Sequence, residues 1–233
     1  MSLLGSAALA MWWNMASEMR SDFEDWHSHE HFPERMSIPG FLRGSRWRSA
    51  TGGEGIFVMY ELEDYRVLSS PHYLARLNEP TPWSTRMMPH HKCMVRSQSH
   101  VLESCGGAVA GHALTVRLSP QAGRETDLRA SLRLLMASLV LRPGLTGAHL
   151  LRHETPAIAQ TTEQKIRGQA DQTADWVFVA CGYDMRALAA LSTEELGPLS
   201  LKGLGADEHP ISDLYALSYS ALPADACQTP TAP

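Results

Sequence analysis

The 233-residue chain is 44% hydrophobic and 19% charged, the balance of a globular protein with ample core. A formal net charge of -5, with Lys and Arg scattered and no basic run, excludes a nucleic-acid footprint. No stretch approaches the ~20 apolar residues of a membrane span. The opening MSLLGSAALAMWW lacks a basic leader, and Cys93, Cys105, Cys181 and Cys227 form no CxxC pair, so the expectation is a cytoplasmic protein with four free thiols.

In chain order, residues 7–13 (AALAMWW) read as a short buried strand, followed by a charged amphipathic helix from Ser17 to about Met36. Pro39-Gly40-Phe41 turns the chain into two strands, FLRGSRWRSA and GIFVMYELED, which are separated by Thr51-Gly52-Gly53. Residues 62–77 carry helical pieces broken at Pro71, and a last strand runs from about Lys92 to Glu103. The order β-α-β-β-α-β is that of a ferredoxin-like unit.

The second half repeats this order. HALTVRL (112–118) is a strand, and Arg124 to Leu141 carries Leu128, Leu132, Leu135, Met136 and Leu139 at helical spacing. Pro143-Gly144-Leu145 follows Pro39-Gly40-Phe41 by 104 residues, and the same shift places Ala8 on His112. DWVFVACGYD (175–184) and DLYALSYSAL (213–222) complete the copy, after an inserted polar connection from His153 to Thr173. The expected architecture is therefore α+β. Two tandem ferredoxin-like repeats, 7–105 and 112–222, would pack their antiparallel sheets into one barrel with a central cavity, and a tail (223–233) would be flexible.

FEDWHSHEHFPERMSIPGFLRGSRW (23–47) resembles the helix-to-strand signature of EthD-like dimeric α/β-barrel proteins, and SSPHYLARLNEPTPWSTRMMPHH (69–91) resembles their longer, duplicated members. That resemblance implies the barrel fold. It leaves the chemistry open among cofactor-free monooxygenases, muconolactone-type isomerases, polyketide cyclases and haem-dependent proteins.

The densest polar cluster is Trp26-His27-Ser28-His29-Glu30-His31-Phe32-Pro33-Glu34-Arg35. On a regular helix His27 and His31 share a face and Glu30 lies beside His27, where a carboxylate would orient the imidazole for acid–base catalysis. Pro33 should bend or end this helix. A polar helix face in contact with solvent is the plainer alternative. With the shift of 104, however, His27 falls on Ser131, His31 on Leu135, Glu34 on Ser138 and Arg35 on Leu139, so the second copy kept the helix without the polarity. His27, Glu30 and His31 are thus the candidate catalytic residues. Substrate contacts are expected from Arg35, from Arg43 (read as sharing one strand face with Arg46 and Arg48), and from Tyr73, Asn78, Trp83 and His90 on a proline-stiffened loop.

No P-loop, GxSxG elbow or GxGxxG turn is present. No cofactor is required by this reading. Haem, or a divalent metal on His27 and His31 with His72, His90 or His91, is the lesser alternative. The function expected is isomerase, lyase or cofactor-free monooxygenase chemistry on a small flat organic molecule. The competing class is a non-catalytic binding or accessory protein for a hydrophobic ligand or haem. The partner expected is a small molecule, with neither nucleic acid nor membrane, and a homodimer in addition.

Overall fold

The computed structural model describes residues 3–168 and 170–226. Its eight strands are β1 (Ala7–Asn14), β2 (Phe41–Ser49), β3 (Gly55–Leu62), β4 (Lys92–Gly106), β5 (His112–Leu118), β6 (Leu145–His153), β7 (Trp176–Gly182) and β8 (Ile211–Ala221). They close a barrel in the order β1-β3-β2-β8-β5-β7-β6-β4, with every neighbouring pair antiparallel. Each half contributes a ferredoxin-like sheet, β4-β1-β3-β2 and β8-β5-β7-β6. The two seams, β2 with β8 and β4 with β6, use up all four sheet edges.

Strand alternation assigns two environments to each sheet. In β1, Ala8, Ala10 and Trp12 face the barrel interior, and Ala7, Leu9 and Trp13 face the helices. The interior is filled. Trp12 and Trp47 stack on either side of Phe57, with ring centroids 5.0 and 5.1 Å away. The central cavity expected from two facing sheets is therefore occupied by side chains. Polar pairs lie at the two ends, with Arg43 bidentate on buried Glu61 at one and Arg117 on Asp213 over Trp12 at the other.

The turns from helix to second strand are built alike in both halves. Gly40 and Gly144 both have φ of +90°, and a Cβ there would come within 2.4 Å of Val67 and 2.7 Å of Ala187, so only glycine fits. They stand 104 apart, as the sequence suggested. In the first strands, however, Ala8 pairs with Glu61 and Ala113 with Cys181, all facing inward, so the true correspondence there is 105 (8 to 113). Matching Ala8 to His112 set opposite faces against each other, because the side-chain period of a strand is two.

The difference of one residue falls in the first helix. α1 (Arg20–Trp26) passes through a π-helical turn (His27–His31) into α2 (Phe32–Met36), with Phe32 N–H bonded to the His27 carbonyl. A π turn is a one-residue insertion into an α-helix. It also accommodates Pro33, so the chain stays helical to Met36 instead of ending at the proline. The corresponding helix of the second half, α5 (Glu125–Leu139), is uninterrupted.

The remaining helices are α3 (Pro71–Asn78), α4 (Pro82–Met87), α6 (Thr162–Arg167), α7 (Met185–Thr193), α8 (Pro198–Leu204) and α9 (Pro223–Ala226). Ser70 and Thr81 cap α3 and α4 with Pro71 and Pro82 in the first turns, so the stretch expected to be a stiff loop is two short helices. The last strand of the first half runs on to Gly106. Cys93, Cys105 and Cys181 are free, and Cys227 lies outside the described residues. Among the described residues no helix is long and apolar enough to cross a membrane.

Candidate functional site

The π turn and α2 press the first-half helix against the outer face of its sheet and leave a cavity of about 50 Å³ between the two layers. Its walls are Leu9, Met11 and Trp13 of β1, Tyr60 of β3, Met94 and Arg96 of β4, Tyr73 and Leu77 of α3, and Trp26, His27, His31 and Arg35. His91 closes the side beside Trp13, with ring centroids 4.9 Å apart. Because of the wide π turn, His27 and His31 stack with ring centroids 5.2 Å apart.

The roof comes from the other half. β6 pairs with β4, and its last residue His153 lies opposite Ser99, so the inserted connection leaves the barrel at the seam and crosses onto the first repeat. The Gln172 and Met94 backbones bond there, as do Arg96 N–H and the Gln172 carbonyl. α6 opens with a capping box at Thr161 and places Thr161, Glu163, Gln164 and Arg167 over the cavity.

All three imidazoles have lowered pKa values, which favours their neutral forms. Burial first, then the charges of neighbouring arginines and histidines, hold His27 and His31 well below the usual histidine range. Burial pushes His91 down to about 4. The Met87 and Met88 carbonyls accept from His91 Nδ1 at 3.2 Å, so the proton sits on Nδ1 and the Nε2 lone pair is the basic site.

Arg35 is 3% exposed and holds Glu163 at 2.5 Å and Glu34 at 3.1 Å. Burial works against its charge, but the two carboxylates outweigh it and raise the pKa. Arg96 donates to the Tyr73 hydroxyl at 2.8 Å and, among the described residues, has no carboxylate within 4.0 Å. Trp13 Nε1, His27 Nδ1, His31 Nδ1 and the Tyr60 hydroxyl, all on lining residues, are buried without a hydrogen-bond partner among the described residues. So many orphaned polar groups around one cavity are unusual for a protein interior, where such groups are normally paired.

The structure thus brings His27, His31, Arg35 and Tyr73 together. It separates the others. Glu30 turns away from His27 and accepts from Trp26 Nε1 (3.1 Å) and from the hydroxyls of Thr81 and Ser84, so it positions Trp26 and the start of α4 rather than an imidazole. Arg43 faces the barrel interior, and Arg46 and Arg48 point to the opposite face, since positions 43 and 46 have opposite strand parity. Asn78 accepts from Thr162 N–H at 3.1 Å and anchors the roof. Trp83 packs on the rim of the helical core, and His90 is off the cavity beside His91. Among the described residues no three His, Cys, Asp or Glu side chains converge as a metal site.

Sequence reasoning missed Trp13, Tyr60, Arg96, Glu163 and Arg167, and named His91 only as an alternative metal ligand. Arg96 did carry a signal, because strand alternation puts it on the same face as Met94, where a charge is out of place. Glu163 carried none, because its place depends on the seam between the halves.

Among the described residues the second half has no such polar cavity between helix and sheet. With the corrected correspondence, His27 falls on Leu132 and Phe23 on Leu128 (105 apart), while Phe32 falls on Met136 and Arg35 on Leu139 (104 apart). These four are fully buried in an apolar cluster with Leu114, Val116 and Phe178.

The fold is that of known proteins. An anthrone oxidase-like protein superposes with a TM-score of 0.64 at 10% identity over 96% of both chains. A putative monooxygenase from Lactobacillus acidophilus gives 0.60 at 10% identity (94% of this chain, 97% of the other), and one from Fusobacterium nucleatum gives 0.61 at 6% (94% and 95%). These likenesses place the chain among dimeric α/β-barrel folds. No family model matches the sequence, and neither does any curated protein.

Proposed function

We propose that the first-half cavity is an active site for proton abstraction from a small anionic organic molecule. The observation that carries this is the gathering of three neutral imidazoles, orphaned donors and the unneutralised Arg96 guanidinium in the one half that is roofed. The narrower EthD-like affiliation rests on the signature in residues 23–47.

An imidazole held this far below neutrality is a weak base. The arginines that depress it are the ones an anionic ligand would offset: Arg46 and Arg35 act on His27, Arg35 and Arg167 on His31, and Arg167 on His91. Anionic charge placed beside Arg167, whose field acts on His31 and His91, raises imidazole basicity where the proton must be taken. Arg96 and the Trp13 and Tyr60 donors then stabilise the enolate or phenolate oxygen that forms. Reprotonation at another carbon gives an isomerase, expulsion of a leaving group a lyase, and electron transfer to O₂ a cofactor-free oxygenase.

The test is solvent exchange. Enolisable carboxylic acids and hydroxyaromatic acids incubated with the protein in D₂O should exchange carbon-bound hydrogen, read by proton NMR. His27→Gln and His31→Gln should slow that exchange by 10²-fold or more, the range of general-base contributions. Ligands that bind without exchange in the native protein would instead make the cavity a carrier site.

A further inference from the structure

The cavity holds about 50 Å³, far below the several hundred Å³ of sites that enclose an organic ligand. Something inside it must give way. The roof is unusual in how it is held: among the described residues of α6, the one that is buried is Glu163, a carboxylate. A helix that covers a cavity for structural reasons would bury an apolar side chain, whose removal from water is favourable. A buried ion pair is close to break-even against such a contact, because desolvating both charges offsets their attraction.

We propose, building on the reading above, that Glu163 occupies the place of the ligand's own carboxylate on Arg35, so that the site selects short organic acids, which displace Glu163 and lift α6. Arg35 faces a carboxylate from the roof at 2.5 Å and one from its own helix, Glu34, at 3.1 Å. Exchange of the roof carboxylate for a ligand carboxylate leaves the guanidinium paired before and after, so no uncompensated buried charge is created. The withdrawn side chain frees room for an acid's carboxylate and its first two carbons. Beyond Arg35 the acid would meet His31, one helical turn away, and the orphaned donors of Trp13 and Tyr60.

The duplication supports this reading. The β2–β3 hairpin, the first half's counterpart of the inserted connection, is a short turn, and among the described residues the leucine-filled second half is closed instead by its own Leu196, Leu201 and Ala206. Roof and polar cavity occur together, and Arg35 becomes Leu139 where both are lost.

The test uses the full chain and follows tryptophan fluorescence, since Trp13 and Trp26 line the cavity. Benzoate and phenylacetate are titrated against benzamide as the uncharged analogue. The native protein should bind the acids and not the amide. Glu163→Gln, which removes the internal competitor, should bind the acids at least tenfold more tightly, and amide hydrogen exchange over residues 154–168 should rise when benzoate binds. Arg35→Gln combined with Glu163→Gln, which deletes both charges together and avoids an unpaired one, should lose the binding. Unchanged or weaker affinity in Glu163→Gln, or equal binding of benzamide, would overturn the proposal. The exchange assay with the histidine variants is independent: its failure with a tenfold effect in Glu163→Gln leaves an acid-binding site without catalysis, and the converse leaves catalysis with another mode of recognition.

Discussion

The two repeats have the same strand order, the same Pro-Gly turn and the same helix position, but they fill the space between helix and sheet differently. In the second, Leu128, Leu132, Met136 and Leu139 close it. In the first, one inserted residue widens the helix into a π turn, and His27, His31 and Arg35 stand among Trp26, Phe32 and Tyr60. Closure of the barrel and its helix layers needs only one solution, and the second half supplies it. The first half departs from that solution in helix, side chains and roof at the same place, the coincidence on which the proposed site rests.

Acid should show the largest difference between the halves. The folded pKa values of His27, His31 and His91 are lowered, so the unfolded chain takes up these protons first. Stability is then complete above about 6.5 and is lost as pH falls; for His91 the window runs from 6.5 to about 4. Each imidazole contributes a slope of up to ~1.4 kcal/mol per pH unit. His149, on the β6 side of the barrel interior, is pushed down to about 4 by burial and adds a smaller second-half share. Hydrogen exchange at pH 5 should open residues 20–36 well before residues 125–139.

Swapping the two environments comes next. Leu132→His places an imidazole in a sealed apolar cluster and should cost ~2–5 kcal/mol in urea denaturation. The reverse change, His27→Leu, removes an unpartnered buried nitrogen and should be neutral or stabilising by ~1 kcal/mol while abolishing exchange chemistry. Equal costs in both directions would mean that the histidine is structural.

The smallest effect concerns how the aromatic layer fits. A Cβ at Gly44 would lie 2.4 Å from the Phe32 ring and 2.9 Å from Tyr60, while its counterpart 104 residues on is Ala148, packed with Met136. Gly44→Ala should cost ~1–3 kcal/mol by overpacking. Ala148→Gly should cost only ~1 kcal/mol. Differential scanning calorimetry of the pair checks both.

Much of the fold was legible because it is written locally. Two Pro-Gly turns 104 apart, strand alternation and a leucine-spaced helix gave the repeat and its strand order. The one-residue π insertion was not, because a single shift read from Pro39 hides a change of face at Ala8. His27 and His31 stood out by local density. Arg43 was misjudged because counting arginines is not counting strand parity, and Glu30 because a regular helix was assumed where the turn is wide. The roof was invisible for a physical reason: it depends on β6 meeting β4 across the seam, a pairing that no local pattern encodes.

The central claim is that chemistry is confined to the first-half cavity, and histidine ring NMR tests it most directly. In 15N-labelled protein at pH 6, the rings of His27, His31 and His91 should all report neutral tautomers, with His91 protonated at Nδ1. Addition of benzoate should shift these three and leave His149 unmoved. Protonated rings at pH 6, or ligand shifts confined to second-half residues, would contradict the account.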